Sequence, residues 1–383
     1  MAEDRIQRVT MPKWGLSMTA GTITEWIVAE GDEIAKGDDL VEIDTEKIAG
    51  ALESTWDGVL RRIVAAAGSS VPVGATIAVV ADPEVSDEDV EAAVAEAREQ
   101  LAAGVAEAEE VGAEVGTVQV DGRSIAYATM GEGAGEGAGA GADAIVLVHG
   151  YGGDKNSWLF VQEPLSHQHA VHALDLPGHG ESSKDVGAGS LEEMARVVLG
   201  FLDARGIERA HLVGHSLGGA VVAAAAAAAP HRVRSLTLVA PAGFGSAVDA
   251  EYLRGFAAAT SRRELKPLLG RLFADESLVT RQLVDDLLRY KRIDGVDAAL
   301  RRLVDTLLDG DRQRIDTAAV LGGVPCPTVV VWGREDRILP PTAVDATTAA
   351  DLRLVDGAGH MVHLERPGEV RQAVQDAVAA GSP

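Results

Sequence analysis

Two places in the sequence set out side chains for chemistry. The first is Gly214-His215-Ser216-Leu217-Gly218, between an apolar run and an Ala-rich run. G-x-S-x-G in that setting is the spacing of a sharp strand-to-helix turn that lifts a serine hydroxyl above a sheet. The two glycines let the turn close, and the N–H of Leu217 would face the anion formed when Ser216 attacks a carbonyl. The other parts of a nucleophilic site follow in the chain order Ser, Asp, His. Asp336, in VWGREDRILP, comes just after a late apolar run, and His360, in VDGAGHMVHLERP, precedes the last helical pattern. His360 would take the serine proton, and Asp336 would hold its tautomer and stabilise the imidazolium. His363 is the rival base and Glu335 the rival acid. His360 is preferred because Gly-Ala-Gly-His gives a flexible loop that can bring it over Ser216. In LVHGYGGD (147–154), Tyr151 can supply a second N–H to the oxyanion. His149 and His215 lie inside these motifs and fit packing and hydrogen bonding better than proton transfer. DLPGHGES (175–182) reads as a structural loop at the strand ends.

The second place is EIDTEKIAG (42–50), where Lys47 interrupts a stretch that otherwise alternates like a strand. A lone surface lysine means little. Here Gly37 precedes it and Gly58 follows it at nearly equal distances, within two similar strand-turn halves. That pattern offers one amine at a hairpin tip, with Glu42, Asp44 and Glu46 beside it.

The elements that must hold these residues differ between the two ends of the chain. Residues 5–81 are short alternating runs broken by Gly and Asp, an all-β pattern. Residues 82–116 are rich in Ala, Glu and Asp. Ser86 can cap a helix whose narrow apolar stripe is Val90, Val94, Ala97 and Leu101, with Gly104 as its stop, so this segment reads as an acidic helical linker. From 117 to 383, strands and helices alternate as in a doubly wound, mostly parallel sheet. Asp121-Gly122 marks a hairpin turn. Helices are expected over 190–205, 217–229 and 366–380. Residues 243–320 are helical, hold no convincing strand, and read as an inserted cap. GEGAGEGAGAGA (131–142) precedes a strand, whereas a dinucleotide fingerprint follows one, so it reads as a flexible loop.

Composition narrows the function classes. The 383 residues carry a net charge of −25 and are 46% hydrophobic. Such acidity argues against non-specific nucleic-acid binding and against docking on an anionic membrane. The N-terminus shows no apolar signal core, and no run is long enough for a membrane span, so a soluble cytoplasmic protein is expected. Cys326 is the single cysteine and is expected to be a buried strand residue. No metal site is indicated, because the histidines lack ligand spacing.

Both places resemble known families. MPKWGLSMTAGTITEWIVAEGDEIAKGDDLVEIDTEKI resembles the lipoyl domain of 2-oxo acid dehydrogenase complexes, a flattened β-barrel with lipoate on a turn lysine. Biotinyl domains share that fold but usually flank the lysine with methionines; Glu46 and Ile48 favour lipoate on Lys47. Residues 117–383 resemble the capped members of the α/β-hydrolase superfamily. The pairing resembles the E2 chains of acetoin dehydrogenase systems. That resemblance implies acetyl transfer from dihydrolipoyl-Lys47 to CoA through a Ser216 acyl-enzyme. It also implies a thiamine-dependent E1 and a dihydrolipoyl dehydrogenase E3 as partners. An esterase or thioesterase carrying a lipoyl domain for targeting is the alternative. The chain lacks the H-x-x-x-D-G motif and the subunit-binding domain of ordinary E2 chains, which leaves docking and oligomeric state open. Arg262-Arg263, Lys291-Arg292 and Arg301-Arg302 in the cap are candidate contacts for CoA phosphates.

Overall fold

The computed structural model describes residues 5–12, 20–44, 49–54, 56–110, 114–131, 144–341 and 351–381. The chain divides into two compact units, Met1–Gly112 and Ala113–Pro383.

The first unit holds β1 (Ile6–Thr10), β2 (Ala20–Trp26), β3 (Glu33–Ile34), β4 (Asp39–Asp44), β5 (Ala49–Glu53), β6 (Gly58–Ile63), β7 (Ser70–Pro72) and β8 (Thr76–Ala81). They form two antiparallel sheets, ordered β1-β8-β6-β3 and β5-β4-β2-β7. Alternation turns Ile23, Leu40, Ile43, Leu60 and Val80 into a common core. β4 and β5 pair antiparallel, with Asp44 opposite Ala49. Lys47 and Glu46 fall between these partners in sequence and lie outside the described residues.

Helix α1 (Asp87–Glu110) follows. Ser86 caps it, its Oγ accepting the Asp89 N–H at 3.2 Å. Gly104 does not end it; the helix runs on to Glu110. Val90, Val94 and Ala97 are fully buried. Val90 and Val94 pack on Val79 and Ala81 of β8. Arg8 pairs with Glu96 at 2.6 Å and Arg62 with Glu91 at 2.7 Å. The segment expected as a linker therefore docks on the first unit. The reason is β8, whose six residues are all buried: Ala78 and Val80 serve the core between the sheets, while Val79 and Ala81 need a cover on the other face.

The second unit is built on an eight-stranded sheet of β9 (Glu114–Val120), β10 (Arg123–Met130), β11 (Ala144–Val148), β12 (Val171–Leu174), β13 (Ala210–His215), β14 (Val233–Val239), β17 (Thr328–Gly333) and β18 (Asp351–Val355). Two further strands, β15 (Leu308–Asp309) and β16 (Arg312–Gln313), make a separate small hairpin. The large sheet is ordered β18-β17-β14-β13-β11-β12-β10-β9, parallel except at β10 and β9. β9 starts three residues earlier than expected. Asp121 and Gly122 turn it into β10 with φ of 49° and 77°. Helices α2 (Leu159–Ser166), α3 (Leu191–Ala204), α4 (Leu217–Ala228) and α11 (Pro367–Gly381) accompany the sheet; the sequence pattern had not indicated α2. The Gly-rich loop lies mostly outside the described residues.

Between β14 and β17 the chain forms α5 (Ala250–Ala258), α6 (Arg262–Gly270), α7 (Arg281–Lys291), α8 (Val296–Leu307) and α9 (Thr317–Leu321). The segment is helical as expected, apart from the β15–β16 hairpin. Cys326 does not lie in a strand. It precedes β17, half-buried, and burial pushes its thiol pKa up. The short helix α10 (Val362–Glu365) closes the loop that begins after β18.

Candidate active site

Ser216 stands at the junction of β13 and α4 with φ 52° and ψ −116°. A side chain adopts that conformation only where its surroundings force it. The glycines explain how. A Cβ on Gly214 would lie 2.3 Å from the Gly218 carbonyl oxygen, and one on Gly218 would lie 2.3 Å from that of Val148. The Ser216 N–H donates to Val239 O at 2.9 Å, and Ser216 O accepts from Ala242 at 3.0 Å. The serine is thereby held between β13 and β14, over the ends of the parallel strands.

Asp336 and His360 meet across the loops after β17 and β18. His360 Nδ1 lies 2.8 Å from Asp336 Oδ2. That oxygen also accepts from Trp332 Nε1 at 2.9 Å. Oδ1 accepts the N–H groups of Ile338 and Leu339 at 2.8 and 2.9 Å. A carboxylate with four donors has one orientation, so the proton of His360 is held on Nδ1 and Nε2 is left to accept. The rivals are engaged otherwise. Glu335 is exposed and accepts the Ala358 N–H at 3.1 Å. His363 is fully buried, its ring 4.7 Å from that of Trp158 and 4.4 Å from that of His215.

The loop carrying His360 is pinned rather than free. Glu365 accepts from Gly359 at 2.8 Å and from Ala274 at 2.7 Å, and the His360 N–H donates to Leu272 O at 2.8 Å. Burial pushes the Glu365 carboxyl above its usual range. On the opposite side, His149 donates from Nδ1 to Gly150 O at 2.7 Å and accepts the Leu176 N–H on Nε2 at 3.0 Å. Burial lowers the pKa of His149 and pushes that of His215 well below the usual imidazole value, which favours the neutral ring in both. Asp175, in the loop read as structural, forms a buried pair with Lys155 at 3.1 Å.

A family profile described as alpha/beta hydrolase fold matches residues 143–367, and one described as biotin-requiring enzyme matches residues 7–80. Over 96% of this chain and 97% of its own length, the dihydrolipoyllysine-residue acetyltransferase component of the acetoin cleaving system of Pseudomonas putida is 44% identical. Its counterpart from Cupriavidus necator is 45% identical over 94% of each chain. The chain belongs to the family of these acetoin-system acetyltransferase components. A meta-cleavage product hydrolase from Pseudomonas fluorescens IP01 shares the fold of the second unit, with a TM-score of 0.60 at 23% identity over 70% of this chain and 99% of that one.

Tyr151, Ser216 and Leu217 line one cavity. Leu217 is the first residue of α4, so its N–H is among the donors that the helix leaves unpaired. Leu253, Leu307 and Leu308 close the cavity from the cap, and Ile338 and Leu339 close it from the loop after β17. Its free volume is about 30 Å³, room for one or two waters. Gln313 also lines it, but its amide is spent on Gly243, Gly245 and Ala247 at 2.7–3.1 Å. Burial keeps the Tyr151 phenol far from ionising.

The cap cations fare unequally. Arg262 pairs with both oxygens of Asp285. Lys291 is buried against Asp297 at 2.9 Å and Ala257 O at 3.1 Å. Arg263, Arg292, Arg301 and Arg302 are exposed and form no ion pair among the described residues. Trp332 and Glu365 escaped the sequence reading, although both lie inside the quoted Asp and His motifs. No helix among the described residues is long and apolar enough to cross a membrane.

Proposed function

We propose that this chain moves an acetyl group from a dihydrolipoyl thioester on Lys47 to CoA through an acyl-enzyme on Ser216. The observations that carry the reading are the Asp336–His360 pair, the contact of the His360 backbone with His215 next to Ser216, and the strained Ser216 lining a small apolar cavity. It is supported by near full-length similarity to two acetyltransferase components of acetoin cleaving systems. The β4–β5 pairing, which sets Asp44 opposite Ala49, fits lipoate on Lys47, which lies between those two residues in sequence. When bound, lipoate supplies a thiol that offers the acetyl group as a thioester.

Ser216 Oγ attacks the thioester carbonyl while His360 Nε2 takes its proton, and the N–H groups of Tyr151 and Leu217 hold the oxyanion. His360 returns the proton to the departing sulfur, leaving acetyl on Ser216. CoA thiol then attacks the acetyl-serine; His360 takes the thiol proton and delivers it to Ser216 Oγ. Asp336 keeps His360 in the accepting tautomer throughout. The apolar walls limit the room for a competing water. Of the cap cations singled out in the sequence, Arg263, Arg292, Arg301 and Arg302 are open to CoA phosphates.

The chain works as the E2 component of an acetoin-cleaving complex, with E1 loading and E3 reoxidising the lipoyl group in the cytoplasm. The test is a product partition. Lipoylated protein, reduced and acetylated, is mixed with CoA, and acetyl-CoA and acetate are both measured. Acetyl-CoA should dominate and vanish in Ser216→Ala and Lys47→Arg. Acetate at every CoA level would mean a hydrolase instead.

A further inference from the structure

His215 precedes the nucleophile in the chain and is buried, 4% exposed. Its Nε2 lies 2.9 Å from the backbone oxygen of His360. A carbonyl only accepts, so His215 Nε2 carries the proton and donates it. Its ring is confined. His363 lies 4.4 Å away and His360 4.8 Å away, centroid to centroid. Gly150 backs onto Nδ1, where a Cβ would come within 2.8 Å. The imidazole thus touches all three loops of the site: the serine elbow, the segment bearing Tyr151, and the loop bearing His360.

The other anchors of the His360 loop pull from elsewhere. Leu272 O and Ala274 lie beyond α6, and Glu365 belongs to α10. These fix the loop against the cap and against itself. The bond from His215 instead joins the backbone of the base to the residue adjoining Ser216. Proton transfer from Oγ to Nε2 depends on that spacing to a fraction of an ångström.

We propose that His215 is a positioning residue, whose Nε2–H donates to the His360 carbonyl and keeps the base in register with Ser216. The inference rests on the roles given to Ser216 and His360 in the proposed function. It does not rest on lipoate or CoA, so it is tested with p-nitrophenyl acetate as acetyl donor to the full-length chain. His215→Phe keeps a ring and removes the donor. His215→Gln keeps an N–H at similar reach.

In the expected result, H215F slows burst acylation about 10- to 100-fold. Its KM stays within about twofold of the parent value, and H215Q recovers most of the rate. Thermal unfolding should be near that of the parent for both. Acylation by H215F at the parent rate overturns the proposal. So do equal losses in H215F and H215Q, which would mark packing alone. Should H215F not fold, H215Q is compared with H215N, whose shorter amide cannot reach the carbonyl: a faster H215Q supports the proposal and equal rates overturn it. Ser216→Ala runs beside them. Parent-like acylation there would sink the serine assignment itself, whereas a dead S216A with a normal H215F sinks only the positioning role.

Discussion

Asp336 Oδ2 lies 2.8 Å from His360 Nδ1, and Trp332 donates to the same oxygen from the strand side. The carboxylate is saturated by donors, so an amide in its place must turn at least one N–H toward another N–H. Asp336→Asn should therefore misplace the His360 proton. Acylation of Ser216 is expected to fall by about 10²- to 10⁴-fold with the protein still folded. Burst kinetics with p-nitrophenyl acetate, beside a near-ultraviolet spectrum for folding, measures this.

The cavity at Ser216 has room for little more than a methyl group, and Leu253 and Leu308 form part of its wall. Leu253→Ala or Leu308→Ala should shift selectivity toward longer acyl chains. The butyryl-to-acetyl ratio of kcat/KM is expected to rise about tenfold, since a methylene in an apolar pocket is worth that order. Competition between p-nitrophenyl esters reads the ratio directly; an unchanged ratio would mean the acyl group sits elsewhere.

His172 is buried in β12, its Nδ1 2.7 Å from Thr129 Oγ1 and its ring 5.7 Å from Phe201. Burial, helped by Arg205, lowers its pKa to about 4. An unfolded histidine titrates near 6.5, so between about pH 6.5 and 4 the unfolded chain binds the extra proton. Stability from this group is complete above that window, declines by about 3 kcal/mol through it, and levels off below. Denaturant titrations at pH 7, 5.5 and 4.5 should show a shallower decline in His172→Gln than in the parent.

Val94 of α1 is 1% exposed against Val79 and Ala81 of β8. A carboxylate there has no partner, so Val94→Asp should release α1 at a cost of about 3 kcal/mol or more. Protease should then cut within 87–110 much faster, while acylation of Ser216 in the second unit keeps its parent rate. Unchanged protection would show that α1 does not depend on this stripe.

The serine elbow was legible because its spacing is local. Gly214, Ser216 and Gly218 fall within one turn, so the spacing shows in sequence even though Gly218 is pressed by Val148 of β11 only in the assembled sheet. The order of Ser216, Asp336 and His360, and the alternating strands of both units, were legible for similar reasons: each is set by spacing along one element or at one strand end. The sequence preferred His360 over His363 on the ground of a flexible loop, and that ground is not what the structure shows. The loop is not loose; Glu365 and Leu272 fix it, and His363 is packed against Trp158.

What only the tertiary structure decided is what each group meets from far along the chain. The cap cations looked alike in sequence, yet Lys291 is buried on Asp297 while Arg292 beside it stays exposed. The stripe on α1 looked too narrow to dock, until β8 proved apolar on both faces and in need of a cover. Local periodicity and steric demand are properties of neighbouring residues, so sequence carries them openly. Hydrogen bonds such as His215 to His360, and burial such as that of Lys155 on Asp175, depend on segments that meet only when the sheet has assembled.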